Sequence, residues 1–237
     1  MPLFKFDLHL HTVLSPCAGM LMTPVNILEQ ACKQGIDLLA ITDHNTARNV
    51  EVTVKLGNEY GIRVIPGMEV ETAEGVHILC LFEEITAVLD LQEVVYRALP
   101  DRENDEEFFG YQLVSDIRGN FIDREWRLLA AATSLSLESL VKLVGRLGGQ
   151  VIPSHICREN GLITNLGFVP ENLSLPVMEI AANRNRQELI TSFPYLEKYI
   201  LIKNSDAHFP DEIKAWNQLS LPRLGLTEIM NGISSGR

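Results

Sequence analysis

The stretch Leu3-Phe4-Lys5-Phe6-Asp7-Leu8-His9-Leu10-His11-Thr12 decides the fold class. It opens as an apolar run and ends in two histidines one residue apart. On an extended strand such residues point to the same side, so His9 and His11 are presented together at a strand end. Further apolar runs lead into, or begin at, a similar group: His44 in Thr42-Asp43-His44-Asn45, His77 after Gly75-Val76, His155 in Pro153-Ser154-His155, and His208 in Ser205-Asp206-Ala207-His208. These are all six histidines of the chain. Imidazole is the commonest side-chain metal ligand, and Asp206-x-His208 repeats the same-side spacing with a carboxylate. Glu69, in Pro66-Gly67-Met68-Glu69, has two oxygens and suits a bridge between two cations. Glu71 reads as a surface carboxylate. Asp43 reads as a group that orients a neighbouring histidine rather than a ligand.

Working outward, apolar strands are predicted at 3–8, 36–41, 62–66, 76–82, 150–153, 177–181 and 199–203. Most are unbroken rather than alternating, as in parallel strands covered on both faces. Helices are predicted between them. The first has Thr23 as N-cap, Pro24 at its first position, Gly35 just past its end, and Ile27, Leu28, Ala31 and Cys32 as its inward stripe. Others are expected near 47–60, 86–99, 124–132, 136–147 and 186–197. Repeated strand–helix units imply an α/β fold with right-handed crossovers, and about seven strands suit a closed or distorted barrel. The segment 83–130, acidic at Asp101, Glu103, Asp105, Glu106 and Glu107, reads as an insertion, either a lid or a solvated connection. Its Phe108, Phe109 and Tyr111 either stack on a ligand or pack a small core of their own. The tail 210–237, with Trp216, either covers the bottom of the barrel or meets a partner.

The chain has 237 residues, 46% of them hydrophobic and 22% charged, the balance of an ordinary globular domain. No apolar run reaches the length of a membrane span, and the N-terminus lacks signal-peptide character, so a cytoplasmic protein is expected. The net charge of −11 and the lack of a basic run argue against long nucleic acid as partner. The four cysteines, Cys17, Cys32, Cys80 and Cys157, form no Cys-x-x-Cys pair. Cys32, Cys80 and Cys157 are read as buried thiols. Arg158, just after His155, is the preferred phosphate contact because its fork matches a phosphate; Arg184 and Arg186 come second. Asn183 and Asn204 either line the mouth of the site or serve as turn residues. The sequence leaves the oligomeric state open.

Taken in order, Asp-x-His-x-His-Thr, Ile-Thr-Asp-His-Asn, Pro-Gly-x-Glu, Val-His, Ser-His and Ser-Asp-Ala-His resemble the PHP (polymerase and histidinol phosphatase) superfamily from Asp7 to His208. The resemblance implies a distorted seven-stranded TIM-like (β/α)7 barrel with two or three divalent metals, zinc, manganese or iron, at the C-terminal strand ends. It also implies phosphoester hydrolysis by a metal-bridging hydroxide. His9, His11, Glu69 and Asp206 would hold a first metal, Glu69 with His77 and His155 a second, and His44 with His208 a third. The third site would be completed by Cys17, which stands where other members carry a histidine. Glu69, His77, His155 and Asp206 would carry catalysis, with Asp7 and Asp43 behind the ligands. Nucleotide-specific members often have Ser-Asp-Gly where this chain has Ser205-Asp206-Ala207. A small phosphorylated metabolite is therefore the expected substrate. A nucleotide phosphatase or exonuclease, and a metal-binding regulatory module without turnover, are the alternatives.

Overall fold

The computed structural model describes residues 1–236; Arg237, the last residue of the tail, lies outside them. A six-stranded sheet curls into a half-barrel in the order β10-β1-β2-β3-β4-β7, with β1 at Leu3–Asp7, β2 at Leu38–Ile41, β3 at Arg63–Glu71, β4 at His77–Leu81, β7 at Gln150–Pro153 and β10 at Asn217–Ser220. A parallel pair, β8 (Val177–Ile180) and β9 (Ile200–Lys203), stands beside it. Backbone hydrogen bonds tie it in on both sides: Ile156 N–H, after β7, donates to Glu179 of β8, and His11 N–H, after β1, donates to Ala207 in the segment following β9. The result is the distorted barrel expected.

Its pairing departs from the all-parallel expectation. β1, β2 and β3 are parallel, but β3 and β4 form a hairpin, β7 runs antiparallel to β4, and β10 antiparallel to β1. The short connection 72–76 cannot hold a crossover helix, so β4 must return beside β3. Helix α1 (Pro24–Gln34) has the expected ends: Thr23 Oγ1 accepts from Asn26 N–H, and Gly35 adopts φ 67°. Cys32, predicted inside, is exposed, while Pro24, Ile27, Leu28 and Ala31 form the buried face. Cys80 is buried and Cys157 partly so. Helices α2 (Val50–Tyr60), α3 (Ile85–Ala98) and α5 (Leu137–Arg146) fall where predicted.

The helix expected at 124–132 does not form. The Gln112 side chain instead takes the carbonyls of Glu125 and Arg127 and the N–H of Leu129, the groups a helix would pair internally. The segment leaves the hairpin β5 (Leu113–Ser115) and β6 (Phe121–Arg124), which follows the single turn α4 (Glu106–Phe109). The helix expected at 186–197 stops at Ser192 as α7 (Arg186–Ser192), and Pro194 starts a separate 3-10 turn, as the restriction before proline requires. A short α6 (Leu162–Leu166) follows β7. The tail supplies β10 and α8 (Leu226–Ser234), whose Leu226, Ile229 and Ile233 pack against Phe6, Leu8, Leu38, Ile65 and Leu81. It therefore closes the bottom of the barrel.

Candidate metal centre

All six histidines converge on one rim of the barrel. β1, β2, β3, β7 and β9 deliver their groups from C-terminal ends. His77 reaches the same rim as the first residue of antiparallel β4, opposite Glu71 of β3. Leu8 and Leu10 are wholly buried in the core, which turns His9 and His11 the other way, with ring centroids 5.0 Å apart.

Glu69 lies at the centre. It is fully buried, and neither oxygen accepts a hydrogen bond from the described residues. Five imidazoles surround it: His44 Nδ1 at 3.1 Å, His77 Nδ1 at 3.3 Å, His9 Nε2 at 3.4 Å, and His11 Nε2 and His155 Nε2 at 3.5 Å. Asp206 Oδ1 is 3.3 Å from both His9 Nε2 and His11 Nε2. A buried carboxylate without donors is costly. Two ligand atoms about 2.1 Å from one tetrahedral ion stand about 3.4 Å apart, which is the spacing found here. The donor set therefore fits divalent cations. Ligand atoms lie within 4.8 Å of one another in three groups: His9, His11 and Asp206; His44, Glu69 and His77; and His11, His44 and His208. Around His44 and His208 the nearest third ligand is thus His11. Cys17 belongs to none of the three groups and stands in the wall of the adjoining cavity.

Backbone strain collects at the same place. The non-glycine residues with positive φ among those described are Asn45 (52°), His155 (27°), Asn160 (59°) and Asp206 (49°). Such conformations cost on the order of 1–3 kcal/mol each and persist where the surroundings impose them.

The protonation pattern follows from crowding. Burial opposes a charge on His9, but Glu179, Glu69 and Asp206 outweigh it and raise its pKa well above the usual range. For His77, Glu69 and Glu71 likewise overcome burial and push it up to about 9. Burial and His208 bring His11 down to about 4, and burial and His11 hold His44 well below normal. Against burial, His77, His9 and His44 keep Glu69 ionised, while His9 and His11 do so for Asp206. Burial lifts Asp7 to about 7 and Asp43 to about 6. It also lifts the Cys17 thiol to about 12, with Glu69 adding to the effect.

Behind these groups is a buried supporting layer. Asp43 accepts from Thr12 N–H, Thr12 Oγ1 and Ser15 Oγ, each at 2.7 Å. Ser15 Oγ in turn lies 3.0 Å from His11 Nδ1, so Asp43 acts on His11 through Ser15. Asp7 accepts from His9 N–H and from the backbone and hydroxyl of Ser205. Glu179 is the residue sequence reading missed. Its carboxylate is 2.9 Å from His9 Nδ1 and accepts from His155 N–H at 3.1 Å and Asn204 Nδ2 at 2.8 Å. The available signal was one acidic residue inside the buried apolar strand Val177-Met178-Glu179-Ile180. Asn204 is neither a mouth nor a turn residue: it is buried and also accepts from Leu8 N–H.

Glu71 requires correction. It is mostly buried and faces the site, with Oε2 3.6 Å from His77 Nε2. Asn160, also missed, donates to Glu71 Oε1 and lies 3.1 Å from His77 Nε2. The side chain of Arg158 is 53% exposed and reaches Asp206 Oδ2 at 2.7 Å. Arg184, Arg186 and Asn183 are exposed, and neither arginine has an acidic partner among the described residues. A cavity of about 260 Å3 adjoins the centre, lined by His44, His77, Glu71 and Asn160 together with Pro16, Cys17, Phe108, Phe109 and Ala130. Phe108 and Phe109 thus form a wall of the site rather than a core of their own.

Comparison with known proteins identifies the family and the fold. A family model described as the PHP domain matches residues 7–159. An uncharacterised protein of Methanocaldococcus jannaschii is 41% identical over 100 residues, 38% of this chain and 58% of that one. A 5'-3' exoribonuclease of Haemophilus influenzae is 32% identical over 99 residues, 38% of this chain and 35% of that one. The alignments thus cover little more than half of the first relative and about a third of the second. Among solved structures, the lesion-specific endonuclease PfuEndoQ from Pyrococcus furiosus superposes with a TM-score of 0.73 at 18% identity, covering 99% of this chain and 56% of that one. That is a likeness of fold.

Proposed function

The chain belongs to the PHP domain family, and from that premise we propose that it is a metal-dependent hydrolase of phosphoric esters acting on a small phosphorylated molecule. The observation that carries this reading is Glu69, a buried carboxylate with no hydrogen-bond donor among the described residues and five imidazoles 3.1–3.5 Å away.

In this reading His9, His11, Glu69 and Asp206 hold one divalent ion, and Glu69 with His77 and His155 a second. His44 and His208 hold a third, with His11 or Cys17 completing it. Bound divalent ions of this kind supply Lewis acidity and a water of lowered pKa for in-line attack on phosphorus. The chain's own residues do the rest. Glu179 fixes the tautomer and direction of His9, and Ser15 does so for His11. Asn160 and Glu71 orient His77. Arg158, whose guanidinium already meets a carboxylate oxygen of Asp206, is placed to exchange that contact for a phosphate oxygen. The insertion contributes Phe108 and Phe109 to the cavity beside the centre.

A second reading, a nucleotide phosphatase or exonuclease, draws on the exoribonuclease relative and on the aromatic wall. No helix among the described residues is long and apolar enough to cross a membrane.

The test is metal content per chain on protein purified without chelator, with the same sample assayed on p-nitrophenyl phosphate and its bis-ester. Two or three ions per chain and turnover abolished by chelator are expected. Fewer than one ion, not restored by zinc, manganese or iron, would overturn the reading. Metals without turnover on any ester would point to a binding module.

A further inference from the structure

Beside the metal centre, the cavity is divided into two faces. His44, His77, Glu71 and Asn160 form its polar part, and behind them His44 and His77 meet the buried Glu69. Pro16, Cys17, Phe108, Phe109 and Ala130 form an apolar face. Phe108 is 79% exposed, more than any other large hydrophobic residue among those described. Its ring meets that of Phe109 edge to face, with centroids 4.7 Å apart. Neither belongs to the hydrophobic clusters of the interior.

The backbone beside the apolar residues is tied to the rest of the chain. Gly110, directly after Phe109, has φ 96°, and a Cβ there would run into the Pro16 carbonyl. Asn104 Nδ2 donates to Gly110 O at 2.8 Å. On the outer side, Leu113 N–H donates to Val13 O, and Asn49 bridges Leu113 and Ser115. Two phenyl rings thus line the same cavity as His44 and His77, which border the metal centre.

Resting on the phosphoesterase reading, we propose that Phe108 and Phe109 form a binding site for a flat, uncharged ring on the leaving-group side of the ester. A phosphoester with a ring one or two bonds beyond the ester oxygen matches the two faces: its anionic end meets the centre and its apolar end meets the phenyl pair. The cavity, about 260 Å3, is smaller than the roughly 300–1,000 Å3 of pockets for larger ligands, so it admits one ring and not a strand. Glu71 stands in its lining, which disfavours a second anionic group.

The test compares benzyl phosphate with cyclohexylmethyl phosphate on the metal-loaded protein. Both leave as primary alkoxides, and only one carries a planar ring. Calorimetry with the corresponding phosphonates supplies a readout independent of turnover. A preference for the benzyl compound of about three- to tenfold is expected in kcat/KM and in Kd, and Phe108→Ala and Phe109→Ala should bring that ratio toward one. Turnover of 4-carboxybenzyl phosphate should be slower than that of benzyl phosphate. Equal treatment of the two rings in both readouts, or a preference untouched by either substitution, would overturn the ring site; faster turnover of the carboxylated ring would overturn its preference for an uncharged one. Preferential phosphonate binding without turnover of any ester would uphold the ring site and sink the hydrolytic reading instead.

Discussion

Replacing Glu179 by Gln tests the supporting layer most directly, because the change is nearly isosteric and Glu179 is not among the proposed ligands. Its Oε1 accepts from His155 N–H, and its Oε2 accepts from Asn204 Nδ2 and lies 2.9 Å from His9 Nδ1. An amide has only one acceptor oxygen. If the NH2 group replaces Oε1, it faces the His155 N–H. If it replaces Oε2, it faces the Asn204 amide, which cannot turn because its oxygen already serves Leu8 N–H. Either way one buried donor opposes another, and the charge that holds His9 with its Nε2 toward the centre is gone. A hydrogen bond to a charged group is worth about 1.5–3 kcal/mol. At about 1.4 kcal/mol per factor of ten, the loss corresponds to roughly 10- to 150-fold in affinity, matching the 10- to 100-fold typical of groups behind metal ligands. The assay is competition with a chelator of known affinity, with circular dichroism to confirm the fold. An affinity within twofold of the wild type would refute the reasoning and reduce Glu179 to a buried structural carboxylate.

Other expectations follow from the same geometry. In metal-free protein, His77 and His9 have folded pKa values above the unfolded one; their stabilisation is complete below about pH 6.5 and lost as pH rises toward 9. Thermal midpoints of the metal-free protein should therefore fall between pH 6.5 and 9, less so in His77→Gln; with metal bound the trend should reverse, since cations and protons compete for the same atoms. Arg158→Ala should raise KM about tenfold or more while leaving metal content intact, because a charge-assisted contact to phosphate is lost; an unchanged KM would remove Arg158 from the site. Gly110→Ala should lower stability by more than about 1 kcal/mol, since φ 96° and the nearby Pro16 carbonyl leave no room for a methyl group; denaturant unfolding would read it, and a neutral result would show that the insertion is loosely attached.

The local signals in the chain were sufficient for much of the architecture. Thr23, Pro24 and Gly35 bounded α1 because capping is settled within one turn of backbone. Unbroken apolar runs located the barrel strands other than β10, whose Asn217-Gln218-Leu219-Ser220 carries no such run, because strands covered on both faces are mostly apolar. The histidine motifs fell at strand ends, where the fold brings them together. What failed were features set by distant partners. Gln112 diverts a helical-looking segment, and the return of β4 beside β3 brings His77 to the rim from the start of a strand rather than its end.

The sequence by itself determined the ligand chemistry: six histidines, Glu69 and Asp206 at strand ends, and enough apolar residues to bury what lies beneath them. Only the tertiary structure decided which atoms share a point in space. It placed Glu179 behind His9, turned Glu71 toward His77, left Cys17 in the cavity wall while His11 met His44 and His208, and set Phe108 and Phe109 beside the centre. Each of these depends on closing a barrel: His9 meets Glu179 from 170 positions away, and Asp7 meets Ser205 from 198. Side-chain periodicity carries information only along one element, whereas the contact between elements is selected by packing the whole core.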